Sequence, residues 1–339
     1  MERLLTEMCL PALTAYLQEC RTAPAHLVVV GHPAPDTDAV VSALFEAFRR
    51  WLTAGERAVP VVQADALPRE TAWLLGETGG LLLTAADSRG AALLADERLP
   101  LVLTDHHTAA QPRRVAAVVD HHPLQPGEAP PCADAEICAV GAATTLVALH
   151  CHQAGLQPDA ALARMLLGAI LLDTEGLSPG KTREPDARMA AWLAAASGEQ
   201  PAALFESLRA QLLAETALPI LYRRDQRWFP GLGFAILKLW ASAPLDTAAL
   251  RRLLAEDCAA AGCRVCLAKV SRYTISGLHD ETYYAAGEPA AVQTVLAAIA
   301  AAAGVVAGAA PDSVYIPPQG RHLSRKRLTP LLLPLLAQE

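Results

Sequence analysis

The chain has 339 residues, of which 53% are apolar, enough for one large or two medium domains with buried cores. With a net charge of −7 no basic face advertises nucleic acid, and the longest apolar run, 295–310, is Ala/Gly-rich and shorter than the ~20 residues that a bilayer span requires. Glu2, Arg3, Glu7 and Glu19 are out of place in a signal peptide, and the eight cysteines fit no disulfide framework, so a reducing cytoplasm is expected.

In chain order, residues 26–30 form a β-branched run that predicts a buried strand and ends at Gly31 and two prolines. From Asp38 the pattern turns helical, with Val41, Leu44, Phe45, Phe48 and Leu52 on one face. Strands are predicted over 59–62, 80–83, 99–103 and 115–119, with a helix over 91–97 and a Pro-rich loop over 125–131. Helices then follow over 142–152, 159–172, 185–195 and 201–217. A second α/β pattern comes next, with strands over 233–240, 264–271, around Tyr273 and over 313–316, and helices over 247–261 and 289–303. No internal repeat is evident. The first half has the βαβ rhythm of a mostly parallel sheet with helices on both faces.

In such sheets ligands bind beyond the carboxyl ends of the strands. Three acid–histidine clusters stand there: Gly31-His32-Pro33-Ala34-Pro35-Asp36-Thr37-Asp38, Asp105-His106-His107 and Asp120-His121-His122. In the first, two carboxylates and an imidazole can be aimed at one point and suit Mn²⁺ or Mg²⁺; the plain alternative is a polar turn with Asp38 capping the next helix. Two Asp-His-His tripeptides, each after an apolar run, hold four of the ten histidines and point to metal or phosphate chemistry. Asp173 ends the apolar run 166–172; it either caps the following turn or joins a metal, and taken alone it reads as a cap.

Only four of the 28 basic residues are lysines, and one, Lys326, lies in Ser324-Arg325-Lys326-Arg327. Three cations at a helix start conflict with the helix dipole, a conflict that a polyanionic ligand removes. Cys263-Arg264-Val265-Cys266, with Cys258 nearby, has no second pair at zinc-site spacing and reads as buried strand thiols, with zinc or redox use the lesser alternative.

Together these motifs resemble the DHH phosphoesterase superfamily, in its branch with a DHHA2 C-terminal domain, which holds the family II manganese-dependent inorganic pyrophosphatases and the prune-type exopolyphosphatases. GHPAPDTD is similar to the pyrophosphatase form, in which the His is a metal ligand; the exopolyphosphatase form has Asn there. The leading helix, LVLTDHHT, VVDHHPLQPGEAPPC, LLGAILLDT, RRDQR and QGRHLSRKRLTPLL look closer to prune. The resemblance implies an α/β fold of two domains. Residues 1–197 would form the DHH metal-binding catalytic domain, 198–221 a helical linker and 222–339 a smaller α/β DHHA2 substrate-binding domain, with the active site in the cleft between them. It implies two divalent ions, Mn²⁺ first and Mg²⁺ or Co²⁺ as alternatives, on His32, Asp36, Asp38, Asp105, His121 and Asp173, with Asp105 bridging. His122 would face the substrate phosphate, Arg227, Arg325 and Lys326 would bind it, and Asp105, His122 and Lys326 would carry catalysis. The implied activity is hydrolysis of a phosphoanhydride, pyrophosphate or short polyphosphate, by metal-activated water. The alternative is a prune-like phosphodiesterase or a catalytically lapsed partner-binding protein. The expected partner is a small anionic phosphate, with neither nucleic acid nor membrane. A homodimer through the N-terminal sheet edge is also implied, unless the leading helix covers that edge. Ala39 stands where the family has Ser, Thr104-Asp105-His106-His107-Thr108 departs from the pyrophosphatase form, and Arg227 replaces a usual Lys, which keeps charge and changes geometry.

Overall fold

The computed structural model describes residues 8–108, 114–124, 127–215, 217–306 and 310–337. The chain divides into two compact units, Met1–Gln211 and Leu212–Glu339.

The first unit is built on six strands: β1 (Leu27–Val30), β2 (Ala58–Val62), β3 (Leu83–Thr84), β4 (Leu101–Thr104), β5 (Val115–Asp120) and β6 (Ala135–Ile137). Their order is β3-β2-β1-β4-β5-β6, and every pairing is parallel. All residues of β1, β2 and β4 are buried. Successive strand side chains face opposite sides, so both faces of the sheet are covered, which is why these strands appear in sequence as unbroken apolar runs.

The covering helices are α1 (Leu10–Cys20), α2 (Thr37–Ala54), α3 (Arg69–Leu75), α4 (Ser88–Ala95), α5 (Ala143–Gln153), α6 (Ala160–Asp173), α7 (Glu184–Ser197) and α8 (Pro201–Leu213). Helix α2 is central. Residues 37–48 are buried on every side of it, Asp36 caps its start by accepting from Ala39 N at 3.0 Å, and Gly55 closes it at φ 62°. Helix α1 seats Tyr16 against Phe48 and Trp51, with ring centroids 5.3 Å apart in each pair, and the Tyr16 hydroxyl donates to Ala58 O of β2.

The structure departs from the sequence pattern at 76–84, 135–137 and 214–224. The strand expected over 80–83 is a 3₁₀ turn, Gly76–Leu81, followed by the two-residue β3, because Gly79 and Gly80 favour a turn over a ladder. Strand β6 was not anticipated; it is three residues long and only half-buried, too short to show a period. The helix expected over 201–217 stops at Leu213, and α9 (Leu218–Arg224) starts afresh with Pro219 in its first turn, where alone a proline fits without breaking the ladder.

The second unit holds β7 (Gln226–Phe229), β8 (Leu232–Trp240), β9 (Val265–Thr274), β10 (Gly277–Gly287) and β11 (Ser313–Ile316), in the order β11-β10-β9-β8-β7. Only β8 and β9 run parallel, and α10 (Thr247–Ala261) connects them. Alternation divides the sheet cleanly. Phe234, Leu267 and Tyr283 pack with α11 (Pro289–Ala303) and α12 (Arg325–Leu336) on one face. Ala235, Leu237, Ala268 and Val270 pack with α9 and α10 on the other. Strands β7 and β10 were not anticipated. In β10 the buried Asp280 and Glu281 interrupt the apolar alternation that would have marked it.

Candidate metal centre

The chain leaves β1 for β2 and β3 on one side, then returns to place β4 on the other side of β1. The carboxyl ends of β1 and β4 are therefore the switch point of the sheet, where such folds leave a crevice. His32 follows β1 and Asp105 follows β4, so topology alone brings them together. Their atoms meet, with His32 Nε2 3.3 Å from Asp105 Oδ2.

Local backbone aims both. A Cβ on Gly31 would lie 2.5 Å from Ala39 O, so glycine is what lets the β1–α2 loop press against the first turn of α2. Asp105 is held at φ 60°, a left-handed conformation that Asp tolerates better than most residues and that turns its carboxylate out of the strand path.

Around this pair the other expected residues gather. Asp36 Oδ2 lies 3.8 Å from His32 Nε2. His121 Nε2 lies 3.1 Å from Asp105 Oδ1 and 3.6 Å from Asp173 Oδ2. His32, Asp36 and Asp105 form one set of donor atoms, Asp38, His121 and Asp173 a second, and Asp105 touches both. Asp38 does not cap its own helix. Its two oxygens accept from Ala143 N at 2.6 Å and Thr144 N at 2.8 Å, the first turn of α5. Asp173 is the last residue of α6 and Thr174 is the C-cap, so the carboxylate is turned to His121 rather than to a cap.

Asp120 also reaches this edge, but its carboxylate serves its neighbours. Oδ1 accepts from His122 Nδ1 at 2.9 Å and from the backbone N–H of His121 and His122, while Oδ2 pairs with His107 Nδ1. His121 Nδ1 lies 3.2 Å from Val140 O, a donor arrangement that turns Nε2 toward the carboxylates. Neither supporting contact was read from sequence; the Asp of the second Asp-His-His was the available signal.

The electrostatics call for positive charge. Burial works against protonating His32 and His121, yet Asp105 and its neighbours push His32 up to about 10 and His121 up to about 11. Asp173 is pushed up to about 6 by burial and by Asp36 and Asp105, and Asp38 is raised by burial and by Asp105 and Asp173. His32 Nδ1 is buried with no hydrogen-bond partner, and the contacts of His32 Nε2 and Asp105 Oδ1 lack hydrogen-bond geometry. Buried polar atoms without partners are costly, and carboxylate oxygens with imidazole nitrogens are the donor set of Mn²⁺, Mg²⁺ or Co²⁺. The residues present therefore fit divalent ions.

In the second unit Arg325 Nη1 forms an ion pair with Asp225 Oδ1 at 2.7 Å and donates to Asp225 O at 3.1 Å. The start of α12 is thereby tied to the segment leading into β7, which carries Arg227. Lys326 is exposed on the first turn of α12, and Arg227 is half-buried.

A parallel α/β sheet with carboxylates and imidazoles converging at its switch point defines the class of site. No family model matches the chain. Its similarity to known proteins is nonetheless specific. It is 31% identical over 241 residues to human "Exopolyphosphatase PRUNE1", an alignment covering 62% of this chain and 52% of that protein. It is 32% identical over 218 residues to the "Probable manganese-dependent inorganic pyrophosphatase" of Deinococcus radiodurans, covering 60% and 65% respectively. The chain thus spans about half to two thirds of the length of these relatives. Its fold matches that of the crystal structure titled as a putative family II inorganic pyrophosphatase of Methanococcus jannaschii, with a TM-score of 0.65, 19% identity and coverage of 91% of this chain and 99% of that one. The resemblance read from the motifs is borne out: this chain is similar in sequence to proteins named as PRUNE1 exopolyphosphatases and as probable manganese-dependent inorganic pyrophosphatases. Among the described residues no helix is long and apolar enough to cross a membrane.

Proposed function

We propose that the chain is a metal-dependent phosphoanhydride hydrolase acting on pyrophosphate, short-chain polyphosphate or both. One observation carries this reading: the buried Asp105 belongs to the donor set of His32 and Asp36 and, 3.1 Å from His121, also to a set with His121 and His122, next to Asp38 and Asp173. We assign two divalent ions to these sets, with manganese first because relatives are named for it. Held by His32, Asp36, Asp38, Asp105, His121 and Asp173, such ions would lower the pKa of water toward neutrality. Asp105, shared by both sets, is the residue on which their spacing depends.

The chain's own side chains do the rest. His122, fixed through Nδ1 by Asp120, presents Nε2 to a substrate phosphate and can give it a proton. Arg227, Arg325 and Lys326 are assigned to the remaining phosphate charge, with Arg325 oriented by Asp225. We assign metal binding to residues 1–197, the connecting role to 198–221 and phosphate binding to 222–339. A lapsed enzyme would be expected to lack part of the donor set, and all six positions are filled here. The free cysteines suit a reducing cytoplasm, which fractionation of the source cells would check.

The test is phosphate release by the purified full chain with Mn²⁺, Mg²⁺ or Co²⁺, comparing pyrophosphate, tripolyphosphate and long-chain polyphosphate. Turnover of either short substrate that requires the ion supports the reading. Pyrophosphate preference assigns specificity to His32, and tripolyphosphate preference groups the chain with the exopolyphosphatases. No release from any of the three, with each ion, would overturn it.

A further inference from the structure

Three of the eight cysteines fall within nine residues of the second unit, and the fold brings their sulfurs together. Cys258 lies in the last turn of α10, Cys263 follows the left-handed Gly262, and Cys266 is the second residue of β9. Cys263 Sγ is the hub, 3.4 Å from Cys258 Sγ and 3.5 Å from Cys266 Sγ, and all three sulfurs lie within 4.8 Å of one another. Sequence spacing alone read these as strand thiols, but only Cys266 is on the strand.

The neighbouring strands leave room for this cluster. A Cβ on Gly233 of β8 would lie 2.7 Å from Cys266 Sγ, and one on Gly287 of β10 would lie 3.0 Å from Cys258 Sγ. A Cβ at 233 would meet the Trp228 ring equally closely, at 2.7 Å, and one at 287 would first meet Arg264 O at 2.2 Å, so these close approaches seat the sulfurs among backbone and ring as well as one another. Cys258 and Cys266 are buried, and Cys263 is half-buried, giving one side of access.

We propose that Cys258, Cys263 and Cys266 form a trithiolate site for one thiophilic divalent cation of the zinc class. Zinc–sulfur bonds of about 2.3 Å spread three ligands in trigonal array to about 4.0 Å between sulfurs. The two separations from Cys263, 3.4 and 3.5 Å, lie about half an ångström inside that value, and the third is no more than 4.8 Å, so small side-chain shifts would seat the ion. A disulfide needs its sulfurs at about 2.05 Å, and Cys263, nearly equidistant from two partners, favours neither. The carbonyl end of α10 favours a cation beside Cys258. On binding, each thiol gives its proton to solvent, so one divalent ion and three thiols yield a complex of charge −1 and three protons. The donor chemistry separates this site from the acid–histidine centre of the first unit, because thiolates select zinc-class ions and carboxylates select manganese or magnesium. The proposal is independent of the assigned hydrolysis.

The experiment is a Co²⁺ titration of the reduced, metal-stripped full chain, with Mn²⁺ in excess to compete for the oxygen–nitrogen donors of the first unit. The expected result is an intense near-ultraviolet sulfur-to-cobalt absorption that saturates at one equivalent and is displaced by Zn²⁺. Cys263→Ala should abolish it and leave phosphate release unchanged. Cys258→Ala and Cys266→Ala should each weaken binding more than about tenfold. Zn²⁺ should also protect the three thiols of the wild-type chain from alkylation, a readout that needs no variant to fold. A wild-type chain with no such absorption, a Cys263→Ala chain that keeps it, or a disulfide within the triad of the freshly isolated protein would each overturn the proposal.

Discussion

Asp120 and His122 are joined head to side: Asp120 Oδ1 lies 2.9 Å from His122 Nδ1 and also accepts the backbone N–H of His122 at 3.1 Å. Ring and backbone are thus held by one oxygen of a fully buried carboxylate, which engages Nδ1 and leaves Nε2 as the ring's other nitrogen. Asp120→Asn replaces part of that acceptor with an amide and loosens the ring. The expected effect is a fall in kcat of about 10- to 100-fold with little change in Mn²⁺ affinity. Unaltered kcat in a folded variant would show that this carboxylate does not position His122 for the reaction.

Asp105 is the carboxylate that reaches both His32 and His121, at 3.3 and 3.1 Å. Asp105→Asn is the cleaner variant, since Asn tolerates the φ of 60° found there and keeps the volume. Mn²⁺ at about 100 times its Kd should stabilise the wild-type chain by about 2.7 kcal/mol. The variant should lose most of that gain in thermal melting and turn over more than about 100-fold more slowly. A variant that Mn²⁺ stabilises as well as the wild type would refute the shared-ligand assignment.

Much of the site was legible because buried parallel strands appear as apolar runs, so the polar residues just beyond them stand out. His32, Asp105 and His121 are found this way. What sequence did not show depends on contacts that leave no period. Asp38 caps α5 across 105 residues of chain, and nothing near Asp38 signals it. The left-handed Asp105 has no local marker. Strand β10 was hidden because Glu281, wholly buried, pairs with Lys269 of β9, so two charges occupy what would otherwise be apolar positions. The thiol triad was hidden because its convergence depends on the turn at Gly262 rather than on strand spacing.

Arg325 and Lys326 are adjacent in sequence but differently held. Arg325 is anchored to Asp225 by two contacts, whereas Lys326 is exposed at the positive end of α12. Lys326→Ala should therefore act chiefly on substrate, raising KM about tenfold or more, while the melting temperature moves little. Asp225→Asn should raise KM through the loss of Arg325 orientation, and added salt should not reproduce its effect. Steady-state kinetics on pyrophosphate and tripolyphosphate with both variants would check this, and a Lys326→Ala chain with unchanged KM and kcat on both substrates would remove the residue from the phosphate site.

Away from the metal centre, His150 of α5 ties β6 to α2. Its Nε2 lies 2.6 Å from Glu136 Oε2 and its Nδ1 3.7 Å from the buried Glu46. The hydrogen bond to Glu136 and then the nearby Glu46 carboxylate raise His150 from 6.5 to about 9. Burial works to raise Glu46, but His150, Arg49 and Arg50 hold it down at about 2. A raised histidine stabilises the fold fully below its unfolded value and loses that contribution as pH rises through the folded one. The window is therefore pH 6.5 to 9, and the loss across it is of order 2 kcal/mol after allowing for the ring's partial exposure. Glu46 has the opposite sign: its contribution is present above about 4.5 and is lost toward about 2. Urea midpoints in chelator at pH 6, 7.5 and 9 should fall across this window for the wild type. For His150→Gln they should start lower and fall less steeply, so the two curves converge at pH 9. Parallel curves, with a constant gap from pH 6 to 9, would mean that His150 is not charged in the folded chain.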